Sequence, residues 1–480
     1  MTPTRGTDLE FVIPTYRLRD VGETVEQYDE NFWRNGHATQ ITVFDDSNLG
    51  LQEKYFPLLQ ETKTFNEVWY VGPREKEEFL GFLSQRLKDR KLELIVRNLF
   101  RPSYGGNRNF TLIYTLGQLM VSSDDDMRPH ALVEDSPESL ADGEVCRGRL
   151  AKVGENGYTR RSFDILTSFR EVLGKPSGDV PPNYERGEYV VDSAMDLETN
   201  ASIGIQRENS LRLEPGRVPR SAAVKVAQTY RSGTNDIDAI DYLDLYLADE
   251  TQTRIDDLND VYVLVNFRPV VTKKNWRIDC GVAGYDNTHG LPPFFPTRLR
   301  FEDFIYRLWI QQRGVAAAHV DSAQTHTKNN YMRNPPAAEI FNEEICNLLK
   351  RKIKETVSRL DDLTVRFDYE GEVTADDADA ILTKVSKVHA RSVAAGERAR
   401  KAGADERADA LRLFAANLER AFYGFEPDFF QQNVARLVDD VVSLIKASVE
   451  LWPTLVEICY FQKARRELPR VRVRNKRKGA

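Results

Sequence analysis

The chain has 480 residues, 41% of them hydrophobic and 29% charged, with a formal net charge of −7. That length allows two or three domains and a large core. The acidic balance excludes binding of nucleic acid through bulk charge, and no apolar run reaches the roughly 18 residues of a membrane-crossing helix. Cys146, Cys280, Cys346 and Cys459 are scattered, which fits neither a zinc pattern nor a disulfide framework. The polar start Met1–Gly6 lacks the apolar centre of a signal peptide. A cytoplasmic location is the expectation.

Glu10–Thr15 reads as a short buried strand, and Val21, Val25, Tyr28 and Phe32 recur at helical spacing until Gly36 stops them. Ile41–Phe44 is a second strand running into the turn and cap formers Asp45–Asn48. Leu51–Gln60 reads as helix, Val68–Val71 as a strand ended by Gly72-Pro73, and Glu75–Arg90 as a charged amphipathic helix. Leu92–Val96 reads as another strand. Gly105–Asn109 precedes a helix over Phe110–Leu116, and the strand Leu119–Val121 stops at Asp124-Asp125-Asp126. Alternating short apolar strands and helices predict an α/β fold, with a Rossmann-like, mostly parallel central sheet. Ligands bind such sheets beyond the carboxyl ends of the strands, where both acidic clusters fall.

Residues 131–260 read as an insertion or acceptor-side subregion, with loops at 174–187 and 214–220 and an acidic helix-like run Asp236–Glu250. Strand character returns at Val261–Phe267 and Trp276–Cys280. Helical periodicity then dominates in Ile340–Leu360, Ala375–Ala395, Ala408–Tyr423 and Phe429–Leu451, with Thr374 and Asp377 as an N-cap pair and Ala395–Arg407 as an exposed connection. The chain thus divides into a catalytic unit 1–335, an all-helical C-terminal domain 336–462 and a basic tail 463–480. The helical domain would bind the acceptor, form a homo-oligomer or pack on the catalytic unit. Lys463–Lys478 carries nine Lys or Arg against Glu467 alone. It reads as a solvated end, or as a weak contact holding the protein peripherally at the inner membrane surface.

Several clusters could carry chemistry. Three adjacent carboxylates repel one another and are tolerated either in an exposed loop or beside a hard cation such as Mg²⁺ or Mn²⁺. Asp45 and Asp46 could accept from an imide N–H or ribose hydroxyls, or cap the next helix. Gly105-Gly106 lets the backbone approach a ligand, and Arg108 could pair with a phosphate; a plain turn is the other reading. Asp303, with Arg307 four residues on, is either a general base held by an arginine or a helix cap with an ion pair. His319 and His326 are either metal ligands or packing residues.

In this order the pieces resemble the inverting family 2 glycosyltransferases of the GT-A fold. The resemblance lies in Val12–Tyr16, Val43–Ser47, Gly106–Phe110 leading to Ser123–Pro129, the pair Glu302-Asp303 with Arg307 and Gly314, and His326. It covers about residues 10–130 and 276–330. It implies transfer of a sugar from a nucleotide-sugar donor, a UDP-sugar favoured, to an acceptor hydroxyl. Pro14, Thr15, Tyr16, Asp45 and Asp46 would hold the nucleoside, Arg108 the diphosphate, and Asp124 and Asp125 the ribose or sugar. Asp124, Asp126 and His326 would bind Mn²⁺ or Mg²⁺, and Asp303 would be the base with Glu302 beside it. Gly281 and Gly284 would leave room for sugars. Asn107 departs from the family's alanine, and the stretch between the acidic turn and the acidic pair is longer. A sugar-phosphate nucleotidyltransferase and a non-catalytic sugar-binding scaffold are the rival readings. The first needs a glycine-rich first loop that Pro14–Leu18 lacks.

Overall fold

The structure is a computed structural model describing residues 9–136, 139–152, 157–191, 210–214, 218–231, 261–273, 281–295, 302–303, 306–307, 310, 315–327, 335–358, 373–464 and 468–477. The first elements are β1 (Leu9–Thr15), α1 (Leu18–Arg34), β2 (Gln40–Asp45), α2 (Leu49–Glu61), β3 (Lys63–Thr64), β4 (Glu67–Val71), α3 (Pro73–Leu87), α4 (Arg90–Leu99), α5 (Tyr104–Tyr114) and β5 (Leu119–Ser123). Val21, Val25, Tyr28 and Phe32 form the buried stripe of α1, and Gly36 at φ +74° ends its turn as only glycine does readily. All seven residues of β1 are buried, as expected of a strand covered on both faces.

Two expectations fail here. Leu92–Val96 is helix, not strand, because Asp89 caps the backbone N–H groups of Lys91 and Leu92. Leu92, Ile95, Val96 and Leu99 then recur at helical spacing and pack inward. Gly105–Asn109 lies within α5 rather than before it, since Ser103 is the N-cap and accepts from Gly106 N.

Next come β6 (Met127–Arg128), β7 (His130–Glu134), β8 (Glu144–Lys152), β9 (Tyr158–Ser162), α6 (Ile165–Arg170), β10 (Glu185–Arg186), β11 (Glu188–Val191), β12 (Ser210–Glu214) and β13 (Val224–Arg231). β14 (Val261–Phe267), β15 (Val270–Thr272), β16 (Val282–Asp286), β17 (Ala316–Ala323) and β18 (Thr325–His326) follow. The main sheet has ten strands in the order β10-β15-β17-β13-β16-β5-β1-β2-β4, closed by a C-terminal strand. Its heart, β5-β1-β2-β4, is parallel. The chain runs outward from β1 to β4, then returns to place β5 on the other side of β1. That reversal makes a topological switch point between β1 and β5. Residues 131–260 supply β10 and β13 to this sheet, while β8, β11 and β12 join β14 in a separate antiparallel sheet. The expected strand Val261–Phe267 is β14; Asp236–Glu250 and Trp276–Cys280 lie outside the described residues.

The C-terminal region is helical: α7 (Ala337–Ser358), α8 (Ala375–Lys401), α9 (Asp405–Phe422) and α10 (Pro427–Ala464). Thr374 and Asp377 form a reciprocal capping box at the start of α8. The exposed connection expected at 395–407 shrinks to a tight turn. α8 runs on to Lys401, burying Ala395 and Ala399, and α9 begins at Asp405. α10, about 57 Å long at 1.5 Å per residue, joins the two regions. Its first half buries Phe430, Val434, Val438 and Ile445 among the helices. Its second half packs Leu451, Trp452, Leu455 and Cys459 on the α/β core, and Trp452 Nε1 donates to Leu291 O at 2.6 Å. Among the described residues no helix is long and apolar enough to cross a membrane.

The basic end is not a solvated tail. β19 (Val471–Val473) pairs antiparallel with β4, and β20 (Lys476–Arg477) pairs with β3. Arg470 stacks over the Trp69 ring at 4.4 Å, Arg472 pairs with Glu67 at 2.6 Å, and Tyr114 Oη donates to Pro469 O at 2.8 Å. β19 thereby covers the edge that β4 would expose. Deleting residues 468–480 removes the buried Leu468 and Val473. A loss of about 3 kcal/mol is expected from that burial alone, with new aggregation through the bared edge. Thermal melts and light scattering test it, and an unchanged melting temperature would deny β19 this role.

Candidate functional site

The carboxyl ends of β1, β2 and β5 meet in a cleft of about 500 Å³. Pro14–Arg17 line it past β1, Asp46 past β2, and Asp124 and Asp125 past β5. Pro102–Tyr104, Asn107 and Arg108 close it from the start of α5. The amino ends of α1 and α5 both border the cleft, and such ends favour anions.

The three aspartates have three different sets of partners. Asp124 N donates to Gly281 O at 2.9 Å, and its carboxylate accepts from Arg108 Nη2 at 2.7 Å. Burial pushes its pKa up to about 7 against the pull of Arg108. Asp125 accepts from Thr15 Oγ1 at 2.6 Å and from Arg17 N at 3.2 Å; burial raises it too, opposed by Arg17. Asp126 Oδ2 accepts from the Arg17 guanidinium and lies 3.1 Å from His326 Nε2. Burial acts to raise Asp126, but His326 and Arg17 outweigh it and hold the carboxyl well below the usual range.

Local structure sets these partners. His326 is brought in by the two-residue ladder of β18 with β6, in which it faces Met127, and Thr327 N donates to Asp126 O at 2.8 Å. The buried Arg128 donates to Thr24 Oγ1 at 2.5 Å, and Thr24 in turn donates to Asp125 O, fastening the acidic turn to α1.

Asp45 and Asp46 part company. Asp45 faces inward, accepting from Tyr70 Oη at 2.6 Å and from Ser47 N at 2.7 Å, so it shapes the turn rather than lining the cleft. Burial raises its pKa against those bonds. Asp46 lines the cleft and accepts from Lys76 Nζ at 2.9 Å. Lys76 is buried, which lowers its pKa against the pull of Asp46, and it also donates to Asn107 Oδ1 at 2.8 Å. Asn107 Nδ2 reaches Phe44 O at 3.0 Å. The residue that departs from the resembled family therefore ties α5 to β2 and to Lys76.

Arg108, which the resemblance assigns to the diphosphate, lines the cleft as a buried bridge, with Nη2 on Asp124 and Nε on Glu302 Oε1 at 3.3 Å. Glu302 thus reaches the acidic turn, and Asp303 sits half-buried beside it; Arg307 is buried. Gly314 lies outside the described residues. His319 is buried on β17 against Gln228. Packing requires glycine at Gly106 and Gly284: a Cβ on Gly106 would strike Arg101 O, and one on Gly284 would strike Phe169. Tyr16 stays half-exposed and meets Tyr104 edge to face at 6.1 Å between ring centres.

Sequence reasoning gave no role to Arg17, Lys76 or Tyr104. Each stands in an ordinary charged or turn-like stretch, and only the fold shows where it points. Among the described residues no three His, Cys, Asp or Glu side chains gather as a metal cage. Asp126 and His326 do meet as a two-ligand half-site, while Asp124 is held by Arg108 instead of joining them. A carboxylate and an imidazole suit Mn²⁺, and Mg²⁺-type sites often take one or two protein ligands and complete their shell with phosphate oxygens and water.

No family model, curated protein or solved structure matches this chain.

Replacing Arg108 by Met leaves Asp124 and Glu302 facing each other without their shared cation. A stability loss of roughly 3–5 kcal/mol is expected, as for breaking a buried ion pair, against a smaller loss in Arg108→Lys. Urea unfolding measures both, and an Arg108→Met variant as stable as the parent would remove the bridge from this account.

Proposed function

We propose that the protein is a metal-dependent, inverting glycosyltransferase of GT-A type that uses a nucleotide-sugar donor, a UDP-sugar favoured, and an acceptor hydroxyl. The observation that carries this reading is the convergence on Arg108 of Asp124 and Glu302, which are far apart in sequence. The acidic turn and the acidic pair thus belong to one site, at the sheet edge where nucleotides bind such folds.

In this reading the nucleoside lies against Asp46 and the Tyr16–Tyr104 pair, with Thr15 and Asp125 fixing the floor beneath it. Asp126 and His326 would hold a divalent cation together with diphosphate oxygens. The cation, when bound, supplies positive charge against the leaving nucleoside diphosphate. Asp303 takes the proton from the acceptor hydroxyl. That oxygen bonds to the anomeric carbon as the bond to phosphate breaks on the opposite face, and the electron pair leaves with the diphosphate. Glu302, pinned by Arg108, fixes the position of its neighbour Asp303.

A panel of nucleotide sugars with Mn²⁺, followed for release of nucleoside diphosphate, tests the reading. Slow hydrolysis of one donor is the expected result. Pyrophosphate-dependent chemistry would favour a nucleotidyltransferase, and binding without turnover a scaffold. Asp303→Asn should cut transfer about 10²- to 10⁴-fold, the usual contribution of a general base, while sparing donor binding. Asp126→Ala should abolish metal-dependent donor binding. Full transfer by the first variant, or an unchanged metal response in the second, would overturn the respective role.

A further inference from the structure

One cation at the acidic turn differs from the others described there. Arg108 has a side chain 5% exposed and is fixed by two carboxylates. Arg128 is 2% exposed and bound to Thr24 and the main-chain oxygen of Met127. Lys76 is buried between Asp46 and Asn107. Arg17 alone among these has a fixed backbone and a reaching head. Its N–H is pinned by Thr15 Oγ1 and Asp125 Oδ2, each at 3.2 Å. Its side chain is 23% exposed, lines the cleft, and rests on Asp126, on Asp125 at 3.6 Å and over the Tyr16 ring at 5.0 Å.

The Arg17 head lies on Oδ2 of Asp126, the oxygen that also faces His326. That oxygen and the imidazole form a buried metal half-site just behind the cleft wall that Arg17 lines. A guanidinium and a divalent cation cannot both occupy it, because they repel and need the same lone pairs. A guanidinium released there has a natural destination, since it pairs well with phosphate oxygens, and the amino ends of α1 and α5 favour an anion in the same space.

We infer that Arg17 is an exchangeable counter-ion. It neutralises Asp126 in place of a divalent cation, and it transfers to the diphosphate when cation and nucleotide enter together. The second step rests on the nucleotide-sugar reading; the first does not. The consequence is cooperative binding. The cation alone must evict Arg17 with nowhere charged to send it, whereas the nucleotide supplies that place, and by linkage each ligand strengthens the other equally.

Calorimetric titration of Mn²⁺, with and without UDP, into the parent and the Arg17→Met and Arg17→Lys variants tests this. Without nucleotide, Arg17→Met should bind Mn²⁺ about tenfold more tightly than the parent, within the usual range of site coupling. UDP should strengthen Mn²⁺ binding in both proteins through its diphosphate oxygens, but by about tenfold more in the parent than in Arg17→Met, by the same linkage. Arg17→Lys should lie between the two. If Arg17→Met does not fold by thermal melt, the ordering of Arg17→Lys against the parent decides. Asp126→Asn should abolish Mn²⁺ binding in both backgrounds, which locates the ion. Unchanged or weaker Mn²⁺ binding in the Arg17 variants, or an equal effect of UDP in variant and parent, overturns the inference. A parent that binds Mn²⁺ but no nucleoside diphosphate defeats the transferase reading, and the metal-only comparison still decides on Arg17.

Discussion

Three consecutive carboxylates end a buried strand, and the surrounding structure is arranged to make that tolerable. Two unit charges about 4 Å apart repel by roughly 4 kcal/mol at the effective dielectric of a protein surface, more than the 0.5–1.5 kcal/mol of an ordinary hydrogen bond. Hydrogen bonds alone would not hold the turn. The fold instead brings a separate partner to each aspartate: Arg108 from α5 to Asp124, Thr15 and the Arg17 N–H from the end of β1 to Asp125, and the Arg17 head with His326 of β18 to Asp126.

Those partners can arrive only because of the chain's path. β5 lies beside β1, so the residues after each strand end share one edge. Placing β5 there after β4 has been laid on the far side leaves the crevice that becomes the cleft. Helix α5 enters that crevice directly before β5, which is why Arg108 can reach both Asp124 and Glu302. The helical region is no free appendage: the second half of α10 packs on the α/β core beside Leu291 and Phe100, and β19 finishes the sheet edge.

The parts legible in the sequence are those governed by local pattern. Buried strands such as Phe11–Ile13 and the stripe of α1 announce themselves by composition and spacing. The apolar residues of α4 are bunched over Leu92–Val96, which mimics a strand, and Asp89, a strong cap, is the contrary signal. The negative half of the site was legible because acids at strand ends are conspicuous. The positive half was not. Arg17 and Lys76 look like surface charges until tertiary contacts show Lys76 buried against Asp46 and Arg17 laid on Asp126. β19 was hidden for a related reason: Val471-Arg472-Val473 sits in a basic run, and pairing with β4, some 400 residues away, leaves no local trace.

The same geometry explains why neighbouring acids of identical chemistry take different work. At the end of β2 the pleat turns Asp45 inward, where Tyr70 and Ser47 consume its oxygens, and leaves Asp46 to the cleft. At the end of β5 the chain leaves the strand for β6, and the three side chains fan toward α5, β1 and β18 in turn. A doublet or triplet of aspartates therefore states only that negative charge collects at a strand end. Which oxygen stays open to a ligand is decided by the cations the fold brings against the others, and of these Arg17 has the most exposed head.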